Sequence, residues 1–157
     1  MKIVFLGMLA SFGFLPTSTS LLASQTMDVC QVLRNLPKLS GQLITVRGEV
    51  AFGSNYFLIR PYRCEIHSLL DLGKSPGLRI VYTRPGSIEE LLRAHGGLGK
   101  LWREMQRVTT KGRRGVLIAT LKGSLDASDP KGYGHMNSLA GEIKLIDAKD
   151  IRFIGVK

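Results

Sequence analysis

The residues able to do chemistry in this chain are few: two cysteines and three histidines among 157 residues. Cys30 and Cys64 form the most definite pair, because in an oxidising compartment two thiols favour a disulfide. Such a bridge closes a loop of about 35 residues and contributes on the order of 3–4 kcal/mol in the chain-entropy model. It ties an N-terminal helix to the end of a later strand. Metal ligation competes, since Cys64-Glu65-Ile66-His67 sets a thiol and an imidazole at C-x₂-H spacing. That spacing is common by chance and structural zinc takes four ligands, so the disulfide is preferred and no metal is expected. No activating neighbours surround either thiol.

Gly132-Tyr133-Gly134-His135 is the most specific local pattern. Glycines on both sides of a tyrosine permit unusual backbone angles, and Asp129, Lys131 and Asn137 share the loop. Either Tyr133 and His135 contact a ligand at a barrel mouth, or the segment is a shaped turn with His135 bonded to its own backbone. The second is the commoner circumstance.

Between residues 93 and 114, Arg93, Lys100, Arg103, Arg107, Lys111, Arg113 and Arg114 face only Glu104, with the sole tryptophan, Trp102, among them. A basic amphipathic helix with one Trp can lie on an anionic membrane surface. The plainer alternative is a solvated face whose apolar side, Trp102 included, packs on a sheet. Catalytic patterns are missing: no G-x-S-x-G, H-E-x-x-H, G-x-x-x-x-G-K-[ST] or post-strand G-x-G-x-x-G occurs. His67, His95 and His135 are scattered without a carboxylate at ligand spacing. The expectation is a non-enzyme without cofactor.

The elements that must position these residues begin after a separate leader. Lys2 precedes an apolar run of 13 residues, Ile3 to Leu15, and Pro16 to Ser20 breaks it. A membrane-spanning helix needs roughly 20, so residues 1–24 have the layout of a signal peptide, with cleavage between Ser20 and Gln25 and Ala23 preferred. Export to the periplasm or beyond is expected, leaving 25–157 as a single domain. The leader carries one Lys and no acid, so the net charge of +10 becomes +9, which attracts anionic surfaces of any kind.

In that domain, apolar spacing predicts a helix over 27–36, stopped by Pro37. Period-two patterning predicts strands at 44–52, 56–60, 78–83 and 115–124, and one or two between 142 and 156. Ser87 to Glu90 is a capping-box pattern that opens a helix, and Gly96-Gly97-Leu98-Gly99 should break or bend it. A second helical stretch aligns Leu98, Leu101, Trp102, Met105 and Val108. Three strands, a helix and two strands is the order of an OB-like five-stranded barrel. The predicted fold is therefore mostly β, with an N-terminal helix and a helical insert between the third and fourth strands. Gly48, Gly123 and Gly141 would supply the bends. The alternative is an α+β open antiparallel sheet.

Cys30-Gln31-Val32-Leu33, Val46-Arg47-Gly48 and Gly132-Tyr133-Gly134-His135 occur in an order that resembles a group of uncharacterised secreted bacterial proteins with an OB-like barrel. The likeness spans residues 28–156 and implies fold and export, not an activity; the stretch from Leu91 to Lys111 is long for that group. Three functional expectations follow. The first is a non-catalytic binding or interaction module of the cell envelope. It would meet an anionic component or another envelope protein through the 93–114 segment, with peripheral membrane contact allowed. Tyr133 and His135 would form a second site. The alternative is single-stranded nucleic-acid binding, with Tyr56, Phe57, Tyr62 and Tyr82 among Arg47, Arg60, Arg63, Arg79 and Arg84 as raw materials. A hydrolase is the third, needing acids gathered around His135.

Overall fold

The computed structural model describes residues 25–53, 56–63, 75–82, 96–112 and 114–155. The leader 1–24, Cys64, His67, the 87–90 capping box, Arg84, Arg93, His95 and Arg113 lie outside these described residues.

The strands are β1 (Thr26–Asp28), β2 (Leu43–Phe52), β3 (Phe57–Arg60), β4 (Ser75–Tyr82), β5 (Gly115–Asp126) and β6 (Leu139–Gly155). The helices are α1 (Val29–Arg34), α2 (Leu36–Leu39) and α3 (Gly97–Thr110). Strand β2 pairs antiparallel with both β3 and β5, and β3 with β4. Strand β4 pairs parallel with β6, and β6 antiparallel with β5. The ring β2-β3-β4-β6-β5-β2 is thus a closed five-stranded barrel of mixed direction, with α3 between its third and fourth strands. Closure leaves no barrel edge unpaired, and the open antiparallel sheet is set aside. Strand β1 adds in parallel to residues 45–47 of β2, beside the stretch that β3 covers.

Ile44, Val46, Ile59, Leu78, Leu121, Leu125, Ile143 and Leu145 fill the barrel interior. One end is sealed by α1 and α2 through Val29, Val32, Leu33, Leu36 and Leu39, and α3 packs on β6 with Leu101 and Met105 buried.

Three local expectations change. The helix predicted over 27–36 is shorter at its start, because Met27 and Asp28 belong to β1. Asp28 is the N-cap of α1: its Oδ1 accepts from the Gln31 amide at 2.7 Å and its own N–H donates to Gln31 Oε1 at 2.9 Å. Pro37 does not stop the chain's helicity; it sits in the first turn of α2, where no intrahelical N–H is required. Gly48 is not a bend. It keeps regular register opposite Ala119, and a Cβ there would lie 2.6 Å from both Val29 Cγ2 and the Arg60 carbonyl oxygen. The missing side chain lets α1 close on the barrel.

The register shifts lie elsewhere: β6 carries one extra residue opposite Lys122–Gly123 and another opposite Ile118–Thr120, and β4 carries one opposite Leu139–Gly141, so Gly123 and Gly141 do stand at irregularities. The second bulge coincides with Asp150 at φ 51°. Both β6 bulges lie within one 17-residue strand, where the pattern allowed one or two.

Candidate functional site

Helix α3 begins against the barrel. A Cβ on Gly97 would stand 1.5 Å from the Ala148 carbonyl oxygen and 2.7 Å from Asp147 Oδ1. Only glycine permits that approach, and Gly96 before it holds φ +95°. The glycine run expected to break a helix therefore starts one, because contact with β6 outweighs its poor helix propensity. Leu101 and Met105 face inward, with Leu98 and Trp102 packed against the core.

Trp102 lies 5.2 Å from the Tyr82 ring and 6.0 Å from Phe57, and Phe57 stacks on Tyr82 at 5.3 Å. Among the described residues the buried Trp102 Nε1 and Tyr82 hydroxyl have no hydrogen-bond partner, and burial pushes the Tyr82 phenol up. Trp102 thus faces the barrel, which is the plainer of the two sequence alternatives. A membrane contact through this helix would be electrostatic and not by Trp insertion.

On the outer side Lys100, Arg103 and Arg107 are exposed at spacings of three and four, and Lys111 at the C-cap is exposed as well. Arg107 bonds Glu104 at 2.6 Å. Arg114 is exposed just ahead of β5. Arg93 and Arg113, the remaining members of the expected cluster, are outside the described residues.

The Gly-Tyr-Gly loop is built from within. Tyr133 donates its hydroxyl proton to Asp126 Oδ1 at 2.8 Å and accepts from the Asp129 amide at 3.0 Å. The Ser128 amide and hydroxyl donate to the same Asp126 oxygen at 3.0 and 2.8 Å. Backbone bonds between Tyr133 and Leu139 close the loop, with Gly132 and Gly134 at φ 100° and 78°. The Tyr133 hydroxyl is therefore committed to the loop. His135 opens a 3-10 turn, His135–Asn137; its side chain is outside the description.

The donors on Asp126, first the Ser128 amide, then its hydroxyl, then Tyr133, hold that carboxyl at about 2 against an ordinary 3.8. A depressed carboxylate stabilises above its unfolded pKa and loses that contribution as pH falls through the folded one. The loop should therefore loosen between pH 4 and pH 2. Melting curves in that window should show a drop that Asp126→Asn shrinks. An equal drop in both proteins would assign the acid sensitivity elsewhere.

The outer surface of β3 and β4 forms a groove. Ile59 points into the barrel, while Leu58 and Arg60 point out, and Arg79 lies opposite Leu58. A cavity of about 610 Å³ runs over this face, bounded by Gly53 and Tyr56 of the β2–β3 turn and by Gly134 and Ser138 of the 127–138 loop. A second hollow of about 450 Å³ shares Tyr56, Leu58 and Leu139 and extends it to Arg60. OB barrels use this face for oligonucleotides and oligosaccharides.

Each arginine here has an acid. Arg60 hydrogen-bonds Glu49 across the β2–β3 pair, which raises the guanidinium pKa, and Arg79 meets Glu142 at 3.3 Å. The other expected aromatic and basic residues disperse. Phe57 and Tyr82 join Trp102, Arg63 stacks 5.1 Å over Tyr62, and Arg47 pairs with Asp150 at 3.9 Å.

The Glu49–Arg60 pair was within reach of sequence reasoning, because the four-residue connection from Phe52 to Phe57 sets that register. The Arg79–Glu142 pair gave no local signal, since it crosses the parallel β4–β6 ladder.

Among the described residues no three His, Cys, Asp or Glu groups are placed to hold a metal ion, and no helix is long and apolar enough to cross a membrane. Comparison with family models, curated proteins and solved structures finds no match to this chain.

Proposed function

We propose that this chain is a non-catalytic binding module of the bacterial cell envelope that holds an anionic envelope polymer through the outer face of α3. One observation carries the reading. Lys100, Arg103, Arg107 and Lys111 share an exposed surface whose one acid on the helix is Glu104, while the inner side of the same helix is taken up by the barrel. A net charge of +9 outside the leader adds long-range attraction. Binding of this kind releases counterions. With about four contacts, affinity for a linear polyphosphate should fall roughly 100-fold between about 50 and 200 mM salt. Absent binding, or binding indifferent to salt, would sink the reading.

Export is supported by the layout of residues 1–24 and by the surroundings of Cys30. This residue is 1% exposed and not free. Its neighbour Val29 converges with the Arg60 carbonyl on Gly48, so the start of α1 abuts the end of β3, four residues before Cys64. A Cys30–Cys64 disulfide suits that proximity. Alkylation of the unreduced exported protein should then leave both cysteines unlabelled; two labelled thiols would remove both the bridge and its support for export.

Single-stranded nucleic acid is the second reading, favoured by Tyr56, which is 53% exposed beside the groove arginines. The acids already on those arginines count against it.

A further inference from the structure

We propose that the groove over β3 and β4 is a binding site for an uncharged oligosaccharide chain, separate from the basic face of α3. The fold does not choose between a nucleic acid and a glycan on this face; the charges do. Arg60 and Arg79 are half-exposed, at 52% and 49% of their side chains, yet each is bonded to a carboxylate, Glu49 or Glu142. The four groups sum to zero. A polyanion would have to displace two carboxylates from their guanidinium partners, or bring its phosphates up against them. A neutral sugar has no such conflict. The guanidinium N–H groups left over from each ion pair, together with hydroxyls that both donate and accept, offer the pattern that adjacent ring hydroxyls need.

Tyr56 supplies the apolar half of sugar recognition. Its ring packs against Gly53, where a Cβ would stand 2.6 Å from Tyr56 Cε1, so the missing side chain makes room for the ring. Tyr56 stands at the groove rim and is 53% exposed. An aromatic face carries partial negative charge and attracts the polarised C–H groups of a pyranose. Leu58 and Leu139 line the same hollow, and Ser75 and Ser138 add hydroxyls. The two hollows, about 610 and 450 Å³, share Tyr56, Leu58, Ser75 and Leu139 and together leave room for more than one sugar ring. This inference stands on the groove alone and does not require the reading of α3.

The test is calorimetric titration of the folded protein with neutral hexasaccharides (β-glucan, chitin and xylan) and with a thymidine 12-mer, at low and high salt. At least one hexasaccharide should bind with an affinity unchanged by salt. Tyr56→Ala should weaken it about ten-fold with the melting temperature lowered by only a few degrees, because the residue is half-exposed. Neutralising the α3 cations should leave saccharide binding as it was. No binding to any of the three glycans overturns the proposal, and so does glycan binding indifferent to Tyr56→Ala. Tyr56-dependent binding of the 12-mer alone would hand the groove to nucleic acid.

Discussion

Gly97→Ala is expected to lower the melting temperature by roughly 10 °C and to loosen α3 from the barrel. The added methyl would sit 1.5 Å from the Ala148 carbonyl oxygen and 2.6 Å from its carbon, so no side-chain rotation can relieve the clash. The helix must retreat or β6 must yield. Overpacking against backbone costs about 3 kcal/mol, the upper part of the usual range. The gain in helix propensity from Gly to Ala, about 1 kcal/mol in a helix interior and less in the first turn, is too small to offset it. Retreat of the helix also uncovers the contacts of Leu101 and Met105, both now buried.

Gly155→Ala is the matched control, since its new methyl would meet only Phe153 Cε1 at 3.8 Å. Thermal melts by circular dichroism read the difference. If Gly97→Ala melts with wild type, α3 does not rest on the Ala148 carbonyl, and the placement of its basic face loses its anchor.

The second large effect concerns binding. Changing Lys100, Arg103, Arg107 and Lys111 together to Gln should reduce polyphosphate affinity about 100-fold at low salt and flatten the salt slope by about 3 to 4. All four side chains are exposed, and glutamine is nearly as good a helix former as lysine or arginine. The Arg107–Glu104 ion pair that is lost is a surface pair worth under about 1 kcal/mol. Folding should therefore survive.

The informative comparison is a second variant with the same change in net charge placed elsewhere: Lys38, Lys122, Lys149 and Arg152 to Gln, all exposed and none on α3. Local contact predicts that only the α3 set produces the large loss. Equal losses would mean that net charge alone draws the polymer, and the helix face would have no special part.

Much of the architecture was determined by the sequence. Alternation in β2, with Ile44, Val46 and Val50 on one side, announces a strand with one face in a core, and those three residues are buried. The order of strands and helix restricts the barrel's connections. The 3.6-residue spacing of Leu98, Leu101, Trp102 and Met105 settles which side of α3 meets the barrel and hence which side shows its cations. These features rest on periodicity, and periodicity is local: it records which neighbours along the chain must share an environment.

What tertiary structure alone decided is where distant segments touch. Nothing within ten residues of Gly48 or Gly97 says whether a glycine bends a strand, breaks a helix or admits a neighbour. The answer is set by Val29 and Arg60 in one case and Ala148 in the other. The Tyr133 hydroxyl reads as free for a ligand until the loop folds back and gives it Asp126. Arg79 reads as a free cation until the parallel ladder sets Glu142 beside it, 63 residues along the chain. The physical reason is the same each time. A side chain's availability depends on pairings made when the barrel closes, and closure is a property of the whole ring of strands that no single segment encodes.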